Sequence, residues 1–209
     1  MTPDQIELDD RHLLGAIQRF VAGWQGAEMD PFRADIAQWG ETRIEVAPRH
    51  LPAAETLARA ACHAIDDTRG LLDAMITRRA TRHWEQTYSK ADGVVSDAML
   101  ADYGFAEVIG QRGPFVSDRV RSGIGLYGPN IHYPPHRHAA EEIYLPLAGE
   151  ALFEMDGVRE TRPRGPGDAV FMRSNRVHGF STGDLPFAVF YIWRAGDLRQ
   201  KSTFERPAQ

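Results

Sequence analysis

The chain has 209 residues, 43% of them apolar and 25% charged, and a net charge of −5. Those proportions suit one folded domain, with or without an appendage, and exclude a disordered or collagen-like chain. No apolar run nears the roughly 18 residues of a spanning helix, so no membrane association is expected. Acids outnumber bases in residues 1–100 and balance them in 101–209, which leaves no basic footprint for nucleic acid.

Cys62 is the single cysteine, so no internal disulfide forms and a reducing, cytoplasmic setting is expected. The acidic stretch Met1–Asp10 lacks the apolar core of a secretory signal.

In chain order, residues 1–104 read as helices and 105–209 as strands. Leu13, Leu14, Ile17, Phe20, Val21 and Trp24 fall on one helical face, with Gly26 as the stop. A second helical piece is expected over Pro31–Trp39, ended by Gly40. An Ala-rich helix is expected over 51–67, with Leu57, Ala61, Ala64 and Ile65 on one side. Gly70 interrupts it, and Leu72, Met75, Ile76, Ala80 and Trp84 continue a helical face towards Ser89. Ser96 is placed to cap a short helix that Gly104 stops. Beyond Phe105, runs of Val, Ile, Phe and Tyr alternate with Gly, Pro, Asn and Asp clusters. Strands are expected at 105–110, 118–127, 130–133, 138–147, 150–155, 168–173, 177–182 and 186–194. Many short strands at that spacing point to a β-barrel or sandwich.

Four of the eight histidines lie between His132 and His178. His136 and His138 are two apart, and on one unbroken strand they share a face with Glu142 and Tyr144, whereas a bulge around Ala139–Glu141 would separate them. Two imidazoles and a carboxylate, with His178 supplied from elsewhere, form the ligand set of a catalytic divalent metal. Singly, each residue reads as surface or core; together they read as a metal site. His132 precedes two prolines and is left outside it. Val189, Tyr191 and Trp193 share one face of the last strand, and His178 and Phe180 share a face of theirs.

These residues resemble the cupin superfamily, which implies a mainly β, double-stranded β-helix (jelly-roll) barrel behind an N-terminal α-helical extension. His136, His138, Glu142 and Gly149 fit its first motif, although Gly128 stands too far upstream for the opening glycine. Gly167 and His178 keep the spacing of the second motif, while Arg173, Asn175 and Thr182 replace its Pro, Gly and Asn. Within the superfamily, Tyr133-x-x-His136-x-His138-x-x-x-Glu142-x-Tyr144 behind a helical segment is most similar to the cupin-type dimethylsulfoniopropionate lyases.

That resemblance implies one divalent transition metal (Zn, Fe, Mn, Co or Ni) held by His138, Glu142 and His178, with His136 close by. It implies Tyr144 as the base, able also to ligate the metal, Tyr133 beside it, and a β-elimination that yields dimethyl sulfide and acrylate. The substrate is a small zwitterion whose sulfonium suits aromatic faces, for which Trp193, Tyr133, Tyr127, Tyr191 and Phe180 are the candidates. A homodimer is the expected assembly. The same ligand set also serves iron-dependent dioxygenases, small-acid isomerases and non-enzymatic carboxylate binders, because fold does not decide reaction.

Overall fold

The structure is a computed structural model and describes residues 2–36 and 42–205. Two sheets, antiparallel except at one short parallel pair, face each other and close into a jelly-roll barrel. The larger sheet has the order β1 (Trp84–Glu85), β2 (Tyr103–Gly110), β4 (Val120–Tyr127), β11 (Phe187–Arg194), β6 (Glu141–Ala148) and β9 (Val170–Met172), with β3 (Phe115–Val116) beside β2. The smaller sheet has the order β12 (Thr203–Phe204), β5 (His132–Arg137), β10 (His178–Thr182), β7 (Ala151–Met155) and β8 (Val158–Arg159).

The helices α1 (Pro3–Gly23), α2 (Asp30–Ile36), α3 (Thr56–Ala60) and α4 (Asp66–Thr77), joined in places by single 3-10 turns, cover the outer face of the larger sheet, whereas α5 (Asp97–Ala101) packs Met99 into the inner core. Alternation along each strand divides the apolar residues into two cores. Ile143, Leu145, Leu147, Phe190 and Ile192 point outward and pack with Leu13, Ile17, Leu72 and Met75 of α1 and α4. Tyr144, Val189, Tyr191 and Trp193 point inward and meet Phe153, Phe180 and Tyr133 of the smaller sheet. Both faces of the larger sheet are buried, which is why β11 reads as the near-continuous apolar run Phe-Ala-Val-Phe-Tyr-Ile-Trp. A buried ion-pair cluster ties the helical layer together: Asp10 of α1 meets Arg82 at 2.5 Å and Arg43 at 2.8 Å.

Several sequence expectations need correction. α1 starts earlier than its apolar face, at the Thr2 cap followed by Pro3, and Trp24 rather than Gly26 is its end residue. The helical piece expected over 31–39 is α2, at Asp30–Ile36; Ala37–Trp39 and the Gly40 stop lie outside the described residues. The expected helix over 51–67 is broken into a turn at Pro52–Glu55, the five-residue α3 and a turn at Ala61–His63. Ile65 is then the N-cap of α4 and 42% exposed, not inward-facing. Gly70 lies inside α4 without interrupting it. Trp84 is fully buried as expected, but on strand β1 against Ala106 rather than on a helix. Ser96 does cap α5 by accepting from Met99 N at 3.1 Å, yet Asp102 ends it and Gly104 belongs to β2. The larger sheet therefore begins before residue 105.

Two motif departures have a local explanation. Asn175, in the place of the second motif's glycine, takes that left-handed conformation, with φ at 59°, which asparagine tolerates better than most residues. Thr182 replaces the motif's asparagine by accepting from Ile131 N and donating to Gly128 O, both at 2.8 Å. Gly149 is required by sterics: its φ is 69°, and a Cβ would come within 2.1 Å of the Pro186 carbonyl oxygen.

Candidate active site

His136 and Glu142 do not share a strand. β5 ends at Arg137, the chain turns through His138–Ala140, and β6 begins at Glu141 in the opposite sheet. The single strand expected over 138–147 thus contains a sheet switch. The four ligand candidates converge across the barrel interior rather than along one strand face. His136 sits opposite His178 on β5 and β10, while Glu142 sits opposite Trp193 on β6 and β11.

The three histidines are fully buried and bring one ring nitrogen each to within 4.8 Å of the others. Their orientation is set by the backbone. His136 Nδ1 donates to Pro134 O at 2.9 Å, His138 Nδ1 to Ala140 O at 3.0 Å and His178 Nδ1 to Arg176 O at 2.9 Å. With every Nδ1–H committed, the Nε2 lone pairs remain, the arrangement of metal-ligating imidazoles. Glu142 Oε2 lies 3.0 Å from His138 Nε2 and 3.4 Å from His178 Nε2. His178 Nε2 is buried and has no hydrogen-bond partner among the described residues. A carboxylate oxygen facing two imidazole lone pairs needs a cation between them, so the donor set fits a metal ion.

Electrostatics agree. Burial pushes the Glu142 carboxyl upward, but the His138 and His178 imidazoles beside it outweigh that and hold the group well below the usual carboxylate range. Burial keeps His136 well below its ordinary value and neutral. Trp193 Nε1 donates to Glu142 Oε1 at 2.5 Å, and the Trp193 ring stacks on His138 at 3.9 Å.

A cavity of about 70 Å³ adjoins the cluster at Glu142. Tyr144 opens into it from β6, one inward position beyond Glu142. Burial, and then the Glu142 charge, push the Tyr144 phenol well above its usual value, so a nearby cation is needed to ionise it. Tyr127, Tyr133, Tyr191 and Trp193 also line this cavity. Tyr133 stacks on His136 at 4.3 Å and on Tyr127 at 5.6 Å. Phe180 does not line the cavity. It lies behind this wall, edge-on to Tyr127 at 4.8 Å and Tyr133 at 5.3 Å. His132 is exposed, and its ring lies 3.2 Å from Ser181 Oγ, outside the cluster.

Residues 32–189 match the family of dimethylsulfoniopropionate lyases. The chain belongs to that family. It is 37% identical over 135 residues to the lyase DddQ of Ruegeria pomeroyi, 65% of each chain. It is 34% identical over 118 residues to the putative lyase DddL of Cereibacter sphaeroides, 56% of this chain and 47% of that one. The matched stretches therefore span less than two thirds of either relative. The crystal structure of Ruegeria pomeroyi DddQ superposes with a TM-score of 0.81 at 30% identity, covering 94% of this chain and 95% of that one. A structure from work on the lyases RdDddP and RnDddQII gives 0.84 at 27% identity, covering 96% and 100%.

This member of the lyase family also lines its cavity with residues that carry no sequence motif. Tyr88, in the segment after β1, shares a 2.7 Å hydrogen bond between its hydroxyl and that of Tyr133. Arg121 of β4 lies beside Trp193, its guanidinium 5.0 Å from the ring centroid. Gln200, Lys201 and Ser202 complete the wall from the chain's last part. Gln200 Oε1 accepts from Ala139 N at 2.8 Å, fixing the turn that carries His138. The Arg121–Trp193 adjacency follows from strand pairing, which spacing along the chain does not reveal.

Proposed function

We propose that this protein cleaves dimethylsulfoniopropionate by β-elimination to dimethyl sulfide and acrylate. The observation that carries the reading is the placement of Tyr144 in one aromatic-walled cavity with Glu142, the carboxylate of a buried His/Glu cluster. Membership of the lyase family supports the substrate. His138, Glu142 and His178 would hold one divalent metal (Zn, Fe, Mn, Co or Ni), with His136 beside them. When bound, the metal supplies Lewis-acid polarisation of the substrate carboxylate and favours the Tyr144 phenolate.

The rest follows from the side chains. Tyr144 takes the proton from the carbon next to the carboxylate. The pair from that C–H bond forms the new double bond, and the C–S pair leaves on dimethyl sulfide. The aromatic wall formed by Tyr127, Tyr133, Tyr191 and Trp193 takes the sulfonium, which has no hydrogen to donate, at about 0.5–2 kcal/mol per contact. Trp193 positions Glu142 through its indole N–H. The barrel wall excludes bulk water, which strengthens each of these interactions.

The test is headspace dimethyl sulfide from purified protein and substrate, before chelation, after it, and after metal is restored. Release that stops and returns supports the reading. Metal-loaded protein that releases none refutes the substrate assignment.

A further inference from the structure

A second cavity, of about 220 Å³, lies against the first. Arg121 lines both, and so does the segment 198–202, through Leu198 and Arg199 on one side and Gln200–Ser202 on the other. The outer cavity is walled by Arg112, Arg121 and Arg199 against one carboxylate, Glu107. That carboxylate is already saturated. It accepts from Arg112 N at 2.7 Å, Gly113 N at 3.2 Å and Arg121 Nε at 2.6 Å. Among the described residues, the Nη groups of Arg121 have no hydrogen-bond acceptor. Arg112 is held only at 3.4 Å by Glu85, and Arg199 meets the neutral Gln111 side chain through Nε. At ~30 Å³ per water, the space holds about seven waters, enough for a three-carbon acid. Planar guanidinium forks facing a cavity, with the local carboxylate spent, select a carboxylate.

We propose that this outer cavity binds a small monocarboxylate and serves as the exit for the carboxylate product. The binding site stands on its own geometry; only the product's identity rests on the lyase reading. Charge sets the direction of travel. The substrate is a zwitterion with no net charge, and its sulfonium is repelled by Arg112 and Arg199, which line only the outer cavity. The product has lost that sulfonium, carries one negative charge and is drawn past Arg121. Lys201, the other cation of the inner cavity, is paired with Asp92 at 2.5 Å and lies over Tyr88, away from Arg112 and Arg199.

The experiment titrates propionate, and separately acrylate, into the full-length metal-loaded protein by calorimetry, for the wild type and for Arg112→Gln/Arg199→Gln. Both arginines are exposed, and an unchanged melting temperature confirms that the variant is folded. The expected result is binding of both acids by the wild type, at least fivefold weaker in the variant. Acrylate inhibition of dimethyl sulfide release is expected to contain a non-competitive component that the variant loses. Equal affinity in the two proteins, or no binding, overturns the site. Binding that weakens while acrylate inhibition stays the same overturns the exit role. If the wild type releases no dimethyl sulfide, the lyase reading fails while calorimetry still reports on the cavity.

Discussion

The two faces of the larger sheet are both buried but differ in chemistry. Outward side chains such as Val108, Ile124, Ile143, Leu145, Phe190 and Ile192 are hydrocarbon and pack under the helices. Inward ones include Tyr103, Tyr127, Glu142, Tyr144, Tyr191 and Trp193. On β6 and β11 the two sets alternate residue by residue, so one strand supplies the packing of the helical layer and the chemistry of the barrel. A slip of one residue in strand register exchanges them.

Substitutions that break this contrast rank by size. His178→Ala removes one of the proposed inward ligands and is expected to leave well under one equivalent of metal by elemental analysis. Lewis-acid stabilisation is worth several kcal/mol, so dimethyl sulfide release falls by more than about a thousandfold. Phe190→Ala acts on the outward face. Denaturant melts are expected to show a loss of about 3–5 kcal/mol, while folded protein keeps its full metal content. Trp193→Phe keeps the ring stacked on His138 but deletes the N–H that holds Glu142. Competition with a chromophoric chelator is expected to show metal affinity about 10–100-fold weaker.

The smallest effect is one of pH. His136 is held neutral in the folded protein by burial, whereas the unfolded chain takes up a proton below about pH 6.5. A folded pKa held down gives stability that is present above that pH and lost as the pH falls. Between pH 7 and 5.5 this site is expected to cost about 1 kcal/mol of stability. His136→Asn is expected to flatten that part of the profile, and Phe190→Ala to leave it intact.

Much of the inward face was legible because its chemistry is concentrated in a short span. His136, His138, Glu142 and Tyr144 lie within nine residues, and the period of two along β11 places Tyr191 and Trp193 together. The path of the chain between the ligands was not legible. Nothing in Ala139-Ala140 marks the point where it leaves one sheet for the other. Arg121 and Gln200 were missed because strand pairing and the C-terminal segment bring them in, and neither has a spacing signal. The helical half misled for a related reason. The alanines of 51–65 favour helix intrinsically, yet packing under the sheet breaks that stretch into turns. Trp84 continues a helical face on paper, but its pairing with Ala106 makes it a strand.

The measurement that tests the central claim most directly is made on Tyr144→Phe, with metal content and headspace dimethyl sulfide read from the same preparation. The variant loses only a hydroxyl and leaves His138, Glu142 and His178 in place. The account predicts metal retained at the wild-type level and release lowered by about 10²–10⁴-fold, the contribution of a positioned base. Release at the wild-type rate with metal in place would contradict it.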